Sequence, residues 1–184
     1  MISCFKGKFR LTSPRGYRNL SGKTEYHGGI DLVALEDKNI YAIADGVVDA
    51  TPYEKNGFGY YVRQKLPDGR RIYYGHMKTG SIAVKKGQQI SVGDLLGVMG
   101  STGSSTGAHT HLEIRVPGTS KESLDINAFT GIPNKAGTYD ATLTPEQAKK
   151  NIQEKCKLAD STMEYLGAYR FAEDLFLKLW KAME

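Results

Sequence analysis

At 184 residues the chain has room for one compact domain and a small appendage, and too little length for two full domains. Hydrophobic residues make up 40% and charged residues 24%, which excludes a disordered tail, and no apolar run reaches the roughly 20 residues that cross a bilayer. The formal charge is +5, and it is unevenly placed: residues 1–139 carry 18 Lys+Arg against 12 Asp+Glu, residues 140–184 carry 7 against 8. A basic first three quarters suits an anionic partner, nucleic acid or a bacterial cell wall, without naming either.

The start, Met1-Ile2-Ser3-Cys4-Phe5-Lys6, lacks the apolar core of roughly 7–15 residues that marks a secretory signal, so the expectation is synthesis in the cytoplasm without a signal peptide. The 21 glycines and 11 tyrosines argue against a purely helical protein, since Gly supplies turns and Tyr suits pleated surfaces. Ile40 to Ala44 and Val47 to Ala50 are β-prone runs separated by Asp45-Gly46. Gly59 to Leu66, then Pro67-Asp68-Gly69, then Arg70 to Tyr74 reads as a hairpin. Val84 to Val98 holds short apolar segments punctuated by Lys86-Gly87 and Gly93-Asp94, and His109 to Val116 alternates polar and apolar residues as a half-buried strand does. The fold class is therefore mainly β, an antiparallel sheet or sandwich.

Twenty of the 21 glycines lie at or before Gly137, and the chain then turns rich in Ala, Leu, Lys and Glu. A boundary at residue 138 is expected, with a β-domain over 1–138 and a helical region over 139–184. Thr144-Pro145-Glu146-Gln147 is an N-terminal helix signal, and Ser161 with Glu164 is a second. Helices over about 145–158 and 161–182 follow, as a hairpin or as one bent helix. The apolar stripe Ile152, Leu158, Met163, Leu166, Phe171, Leu175, Phe176, Leu179 and Trp180 needs cover, from the β-domain, a second copy, or a virion or wall component. Cys4 and Cys156 are too few for a disulfide framework and read as two thiols.

The chain has four histidines, His27, His76, His109 and His111. His109 and His111 stand two apart on a predicted strand, so both leave the same face. His27 and Asp31 frame Gly28-Gly29-Ile30, where glycines permit close backbone approach. Two histidines and an aspartate are suitable zinc ligands that leave a fourth position open, and the remaining histidines can move protons, as a water-activating hydrolase requires.

These stretches carry a family resemblance. His27-Gly28-Gly29-Ile30-Asp31, Tyr74-Gly75-His76-Met77, and Gly100-Ser101-Thr102-Gly103 through Ser105-Thr106-Gly107-Ala108-His109-Thr110-His111-Leu112-Glu113 resemble the lysostaphin/LytM-type zinc endopeptidases of bacterial peptidoglycan. Ala44-Asp45-Gly46-Val47-Val48 and Val84-Lys85-Lys86-Gly87-Gln88 match in order as well, and the similarity covers about residues 10–130. The resemblance implies Zn²⁺ held by His27, Asp31 and His111, with His76 and His109 as the catalytic pair. His109 would take the proton from water and His76 would stabilise the oxyanion. It also implies that Gly103, Ser104, Ser105 and Thr106 wall a substrate groove. Thr110 and Met77 depart from Leu, frequent at both positions in the family, and neither removes a ligand. A catalytically inactive wall-binding or regulatory relative is the alternative, although all five polar positions are filled.

The Gly-Ser-Thr run at 100–107 is no phosphate loop, because it lacks the Gly-Lys-Ser/Thr ending and leads into a strand. Arg63, Lys65, Arg70 and Arg71 interleaved with Tyr60, Tyr61, Tyr73 and Tyr74 would suit single-stranded nucleic acid, but tyrosines on a sheet more often pack, so no nucleic acid is expected. With no export signal, a phage lysin acting on the wall after release or from a virion is expected. The C-terminal helices would then serve targeting or assembly.

Overall fold

The computed structural model describes residues 1–20, 22–117, 122–141, 153, 156–167 and 175–179. Its strands are β1 Lys8–Ser13, β2 Gly16–Leu20, β3 Lys23–His27, β4 Ile30–Ala34, β5 Asn39–Tyr41, β6 Gly46–Ala50, β7 Tyr53–Glu54, β8 Gly59–Lys65, β9 Arg71–Met77, β10 Gln89–Ile90, β11 Leu95–Val98, β12 Thr110–Arg115 and β13 Gly137–Asp140. The main sheet runs β10-β6-β8-β9-β12-β4-β1-β13, with β7 beside β8; β11-β5 and β2-β3 form two-stranded sheets. The strand pairs are antiparallel, as the sequence pattern predicts. The chain divides into two compact units, Met1–Ala141 and Thr142–Glu184.

β12 lies between β9 and β4, and its register builds the core. Leu112 pairs with Tyr74 of β9 and Ile30 of β4, Ile114 with Ile72, and Thr110 with Leu32. These seven side chains are buried, joined in the core by Phe9, Leu11, Val62 and Leu96. Each fully buried aliphatic or aromatic side chain contributes about 1.5–3 kcal/mol, so the centre of the sheet is also its most firmly held part. The other face of β12 is buried too, with Glu113 4% and His111 8% exposed. The half-buried expectation thus fails on the polar face, which other segments of the unit cover.

The predicted hairpin is β8 and β9, paired through Lys65 and Arg71. The two β-prone runs around Asp45-Gly46 become β5 and β6, which belong to different sheets, β5 with β11 and β6 with β8. The boundary expected at residue 138 falls inside β13, whose ladder to β1 continues to Lys8 opposite Asp140. Composition shifts earlier than the sheet ends because an edge strand needs few large apolar residues. A short helix that the sequence pattern did not announce, α1 Ile126–Thr130, is capped by the Asp125 carboxylate at its start and by left-handed Gly131 at its end.

In the second unit, α2 spans Asp160–Gly167, starting one residue before the expected 161–182 helix, and residues 175–179 within that range are also helical. Most of the 145–158 helix, together with Ile152, Phe171, Trp180 and residues 168–174, lies outside the described residues; at the junction of the two expected helices, residues 157–159 are not helical and Lys157 has φ 53°. Met163 and Phe176 are buried, and Leu179 is exposed. Cys4 is buried, which pushes its thiol up to about 12, and Cys156 is exposed. Among the described residues no disulfide is formed.

The three arginines of the basic strand region are engaged within the protein. Arg63 and Arg71 both pair with Asp49, at 2.7 and 3.1 Å, and Arg70 pairs with Asp68 at 2.6 Å. Tyr61, Tyr73 and Tyr74 are buried. Tyr74 donates its hydroxyl to Gln64 Oε1 at 2.7 Å and accepts the Ile43 N–H at 3.1 Å, while Gln64 Nε2 donates to the Ala44 carbonyl. Tyr74→Phe leaves two buried groups without that partner, so a loss of about 1–3 kcal/mol in urea denaturation is expected; unchanged stability would show the network to be idle.

Candidate active site

Backbone register brings the polar residues together. His111 of β12 pairs directly with Asp31 of β4. His27 ends β3, and Gly28-Gly29 leads straight into β4, which places the three groups on one side of the sheet. His27 Nε2 lies 3.0 Å from His111 Nδ1 and 3.2 Å from Asp31 Oδ1, and His111 Nδ1 lies 3.0 Å from the same oxygen.

The hydrogen bonds around this triangle fix which atoms point inward. His27 Nδ1 is 2.9 Å from the Pro14 carbonyl, an acceptor only, so Nδ1 carries the proton and Nε2 is bare. His111 Nε2 faces the Glu113 carboxylate at 3.0 Å, so Nε2 carries the proton there and Nδ1 faces the triangle. Asp31 Oδ2 accepts from Arg18 Nη1 at 3.3 Å, which leaves Oδ1 to the centre. Three acceptor atoms this close repel one another unless positive charge sits among them. A proton on His111 Nδ1 serves part of the triangle; a divalent cation serves all of it. The electrostatics of the surrounding side chains run in the same direction. Burial opposes an ionised Asp31, yet hydrogen bonds and charge from His111 and His27 hold its carboxyl far below the usual range. Burial also opposes a charged His111, and Asp31 and Glu113 outweigh it and raise its pKa. Nitrogen and oxygen donors in this number match a zinc-type site, and among the described residues this is the one such cluster.

The other two histidines flank the triangle. His109 stands immediately before β12, two residues ahead of His111, and its ring lies 4.6 Å from that of His76. His76 reaches this face by an irregular route. On β9, Ile72 and Tyr74 point into the core, and alternation would send His76 after them. A bulge against β8 between Tyr60 and Val62, with His76 at φ 58°, turns it outward instead. Gly75 makes space for this, because a Cβ there would lie 3.2 Å from the Phe58 ring and 3.4 Å from His111 Cβ. His76 Nδ1 donates to the Thr102 carbonyl at 2.7 Å and His109 Nδ1 to the Gly107 carbonyl at 2.8 Å, so each neutral ring presents a bare Nε2. Burial pushes the His76 pKa down to about 4.

An open cleft of about 420 Å³ contains all five polar residues and is walled by Arg18, Gly57, Phe58, Ser104, Ser105, Thr106 and Arg115. Gly103 lies behind that wall, at φ 74°, where a Cβ would run into the backbone of Gly57 and Gly59. Residues beyond the sequence expectation complete the site. Glu113 and Arg115 follow His109 and His111 at the same two-residue spacing, so strand alternation announces them. Phe58 and Arg18 have no local signal: Phe58 arrives from the turn before β8, and Arg18 reaches Asp31 through the β2-β3 hairpin.

This antiparallel sheet with a three-donor centre and two further imidazoles defines a metal-dependent hydrolase domain. The profile described as Peptidase family M23 matches residues 25–125, over half of the sequence, and the chain belongs to that family. It is similar to the catalytic domain of the prophage-encoded M23 protein EnpA from Enterococcus faecalis, with 32% identity, TM-score 0.58, and coverage of 67% of this chain and 92% of that one. The catalytic domain of lysostaphin from Staphylococcus simulans has 26% identity and TM-score 0.58, covering 66% and 91%. DD-carboxypeptidase/endopeptidase Mpg from Neisseria meningitidis serogroup B is 36% identical over 111 residues, 59% of this chain and 25% of its own length. The chain spans between about a quarter and a third of the length of the curated relatives it matches.

The buried His76 yields a pH prediction. Its folded pKa of about 4 lies below the ordinary 6.5, so its contribution to stability is present above 6.5 and lost as pH falls through about 4. Metal-free wild-type protein should therefore lose more stability between these pH values than His76→Gln does, compared by urea midpoints. Parallel pH slopes would remove His76 as the cause.

Proposed function

We propose that this chain is a zinc-dependent endopeptidase that cleaves peptide stems or cross-bridges of bacterial peptidoglycan. His27, Asp31 and His111 hold the ion, and His76 and His109 move protons. The observation that carries this reading is the convergence of His27 Nε2, His111 Nδ1 and Asp31 Oδ1 within 3.2 Å of one another, beside two imidazoles that offer bare Nε2 atoms to the same cleft. Family membership supports hydrolysis, and the names of the relatives support a wall substrate.

A zinc ion at this centre supplies Lewis-acid polarisation of a carbonyl and acidifies water. The protein's own groups do the rest. His76 and His109 are held with Nδ1–H on backbone carbonyls, so each begins as an acceptor and can take a proton at Nε2. His76 in this state cannot donate toward an oxyanion; it does so only after gaining a proton. Whichever ring takes the proton from water becomes the donor to the developing oxyanion or to the departing amine. The cleft is open, and its Ser104 to Thr106 edge is short in side chain, which suits an extended peptide of small residues. The filled set of five polar groups favours this reading over an inactive wall-binding module. The prophage-encoded relative supports a phage lysin, and the C-terminal unit is proposed to serve targeting or assembly.

His111→Ala should lose zinc in elemental analysis. His76→Ala and His109→Ala should keep zinc and lose at least about 10²-fold in rate, the scale of acid–base contributions. Wild-type turnover in either would overturn their role. Digestion of purified walls of several chemistries, followed by mass spectrometry, should show new amino and carboxyl ends. New reducing sugar ends without new amines would make the enzyme a glycosidase.

A further inference from the structure

We propose that Glu113, anchored by Arg115, is a positioning residue that holds the Nε2–H of His111 and thereby directs Nδ1 to the metal and sets the metal affinity of the site. The proposal takes the cleft as a metal site and identifies a residue of this chain that tunes it.

Three observations carry it. The first is the hydrogen-bond chain. Glu113 Oε2 accepts from His111 Nε2 at 3.0 Å; Arg115 Nε donates to Oε1 at 2.8 Å and Nη2 to Oε2 at 3.3 Å. The Arg115 guanidinium is itself held over the rings of Tyr73, at 4.5 Å, and Phe58, at 5.1 Å. The second is burial. Glu113 is 4% exposed, a position where a carboxylate is tolerated only with partners, and the His111 ring and the Arg115 guanidinium are the partners that meet it. The third is the shape of the segment above. A Cβ on Gly28 would lie 2.8 Å from Glu113 Oε1, and one on Gly29 would lie 2.8 Å from His111 Nε2 and 3.0 Å from Glu113 Cβ. The chain between His27 and Asp31 is thus closed over the Glu113–His111 pair, with no room for a side chain at Gly28 or Gly29.

An imidazole offers two donor nitrogens, and the ring must choose one. The Glu113 carboxylate accepts from Nε2, which keeps that nitrogen protonated and turns Nδ1 toward His27 Nε2 and Asp31 Oδ1. Its negative charge also makes Nδ1 a stronger donor. Carboxylate partners of metal-bound histidines act in this way, and their removal typically weakens affinity by about 10–100-fold. Arg115 keeps the carboxylate in place against His111 Nε2.

The test measures zinc affinity of the full-length chain by competition with a chromophoric chelator for wild type, Glu113→Gln, Glu113→Asp and Arg115→Met, with His111→Ala as the ligand control. Glu113→Gln, nearly the same shape, should weaken zinc by about 10–100-fold. Arg115→Met should weaken it by less, and Glu113→Asp should recover part of the loss. In the zinc-loaded wild type, ring ¹⁵N and ¹H NMR should show a slowly exchanging His111 Nε2–H and a metal-bound Nδ1; the proton should exchange faster in Glu113→Gln. A merely structural Glu113 would lower the melting temperature and leave affinity and Nε2–H exchange unchanged, and that result overturns the proposal. Wild type that takes up no zinc would instead refute the metal site as a whole.

Discussion

The register of β12 against β4 sets Asp31 and His111 opposite each other, and the rest of the site is arranged to make that pairing tolerable. Two polar side chains, both nearly buried, meet at 3.0 Å with a second imidazole at the same distance. Such a cluster is expensive to desolvate, and only concentrated positive charge makes it stable. Negative charge approaches from two sides, Asp31 and Glu113, and is balanced in turn by Arg18 and Arg115. The core face of the same strand supplies the rigidity: Thr110, Leu112 and Ile114 are fully buried between β9 and β4. One strand therefore carries both the apolar anchor and the charged centre, on alternate residues.

His76 shows how much local distortion that arrangement demands. A regular β9 would hide it in the core behind Tyr74. A non-glycine residue at φ 58° is a strained conformation, of the order of about 1–3 kcal/mol, and it persists because neighbouring bonds overdetermine it. The His76 N–H donates to the Phe58 carbonyl at 2.7 Å, and its ring donates to Thr102. Thr102 is itself clamped, accepting from the Tyr60 N–H and donating to the Met77 carbonyl. The Gly-Ser-Thr segment at 100–107 is thus more than a groove wall: one residue of it holds a ring in the site.

What the sequence disclosed follows from what is local in it. Alternation in His109 to Val116 and the Pro67-Asp68-Gly69 turn are contained within a few residues, and both strands form where the pattern puts them. The five polar positions were legible because two short motifs hold four of them. β1 to β4 were not, since Lys8 to His27 mixes charged and small residues without a clear period, and their pairing is decided by distant strands. Arg18 acquires meaning only when the β2-β3 hairpin places it beside Asp31. Glu113 was visible by spacing, yet a carboxylate two residues past a histidine signals nothing until its burial is known. The bulge at His76 contradicts simple alternation, and tertiary contacts alone impose it.

Missing side chains form the last constraint. Gly28 and Gly29 leave room for Glu113 and His111, Gly75 leaves room for His111 and Phe58, and Gly59 and Gly103 pack backbone against backbone behind the cleft. Each glycine sits where another group of the site already occupies the volume of a Cβ, so the charged centre and the walls around it are fixed by main chain rather than by adjustable side chains. Ser104 and Thr106 differ: they are exposed, they border the cleft, and they carry none of the site's charge. The physical division is therefore between a centre that tolerates almost no added volume and an edge that does.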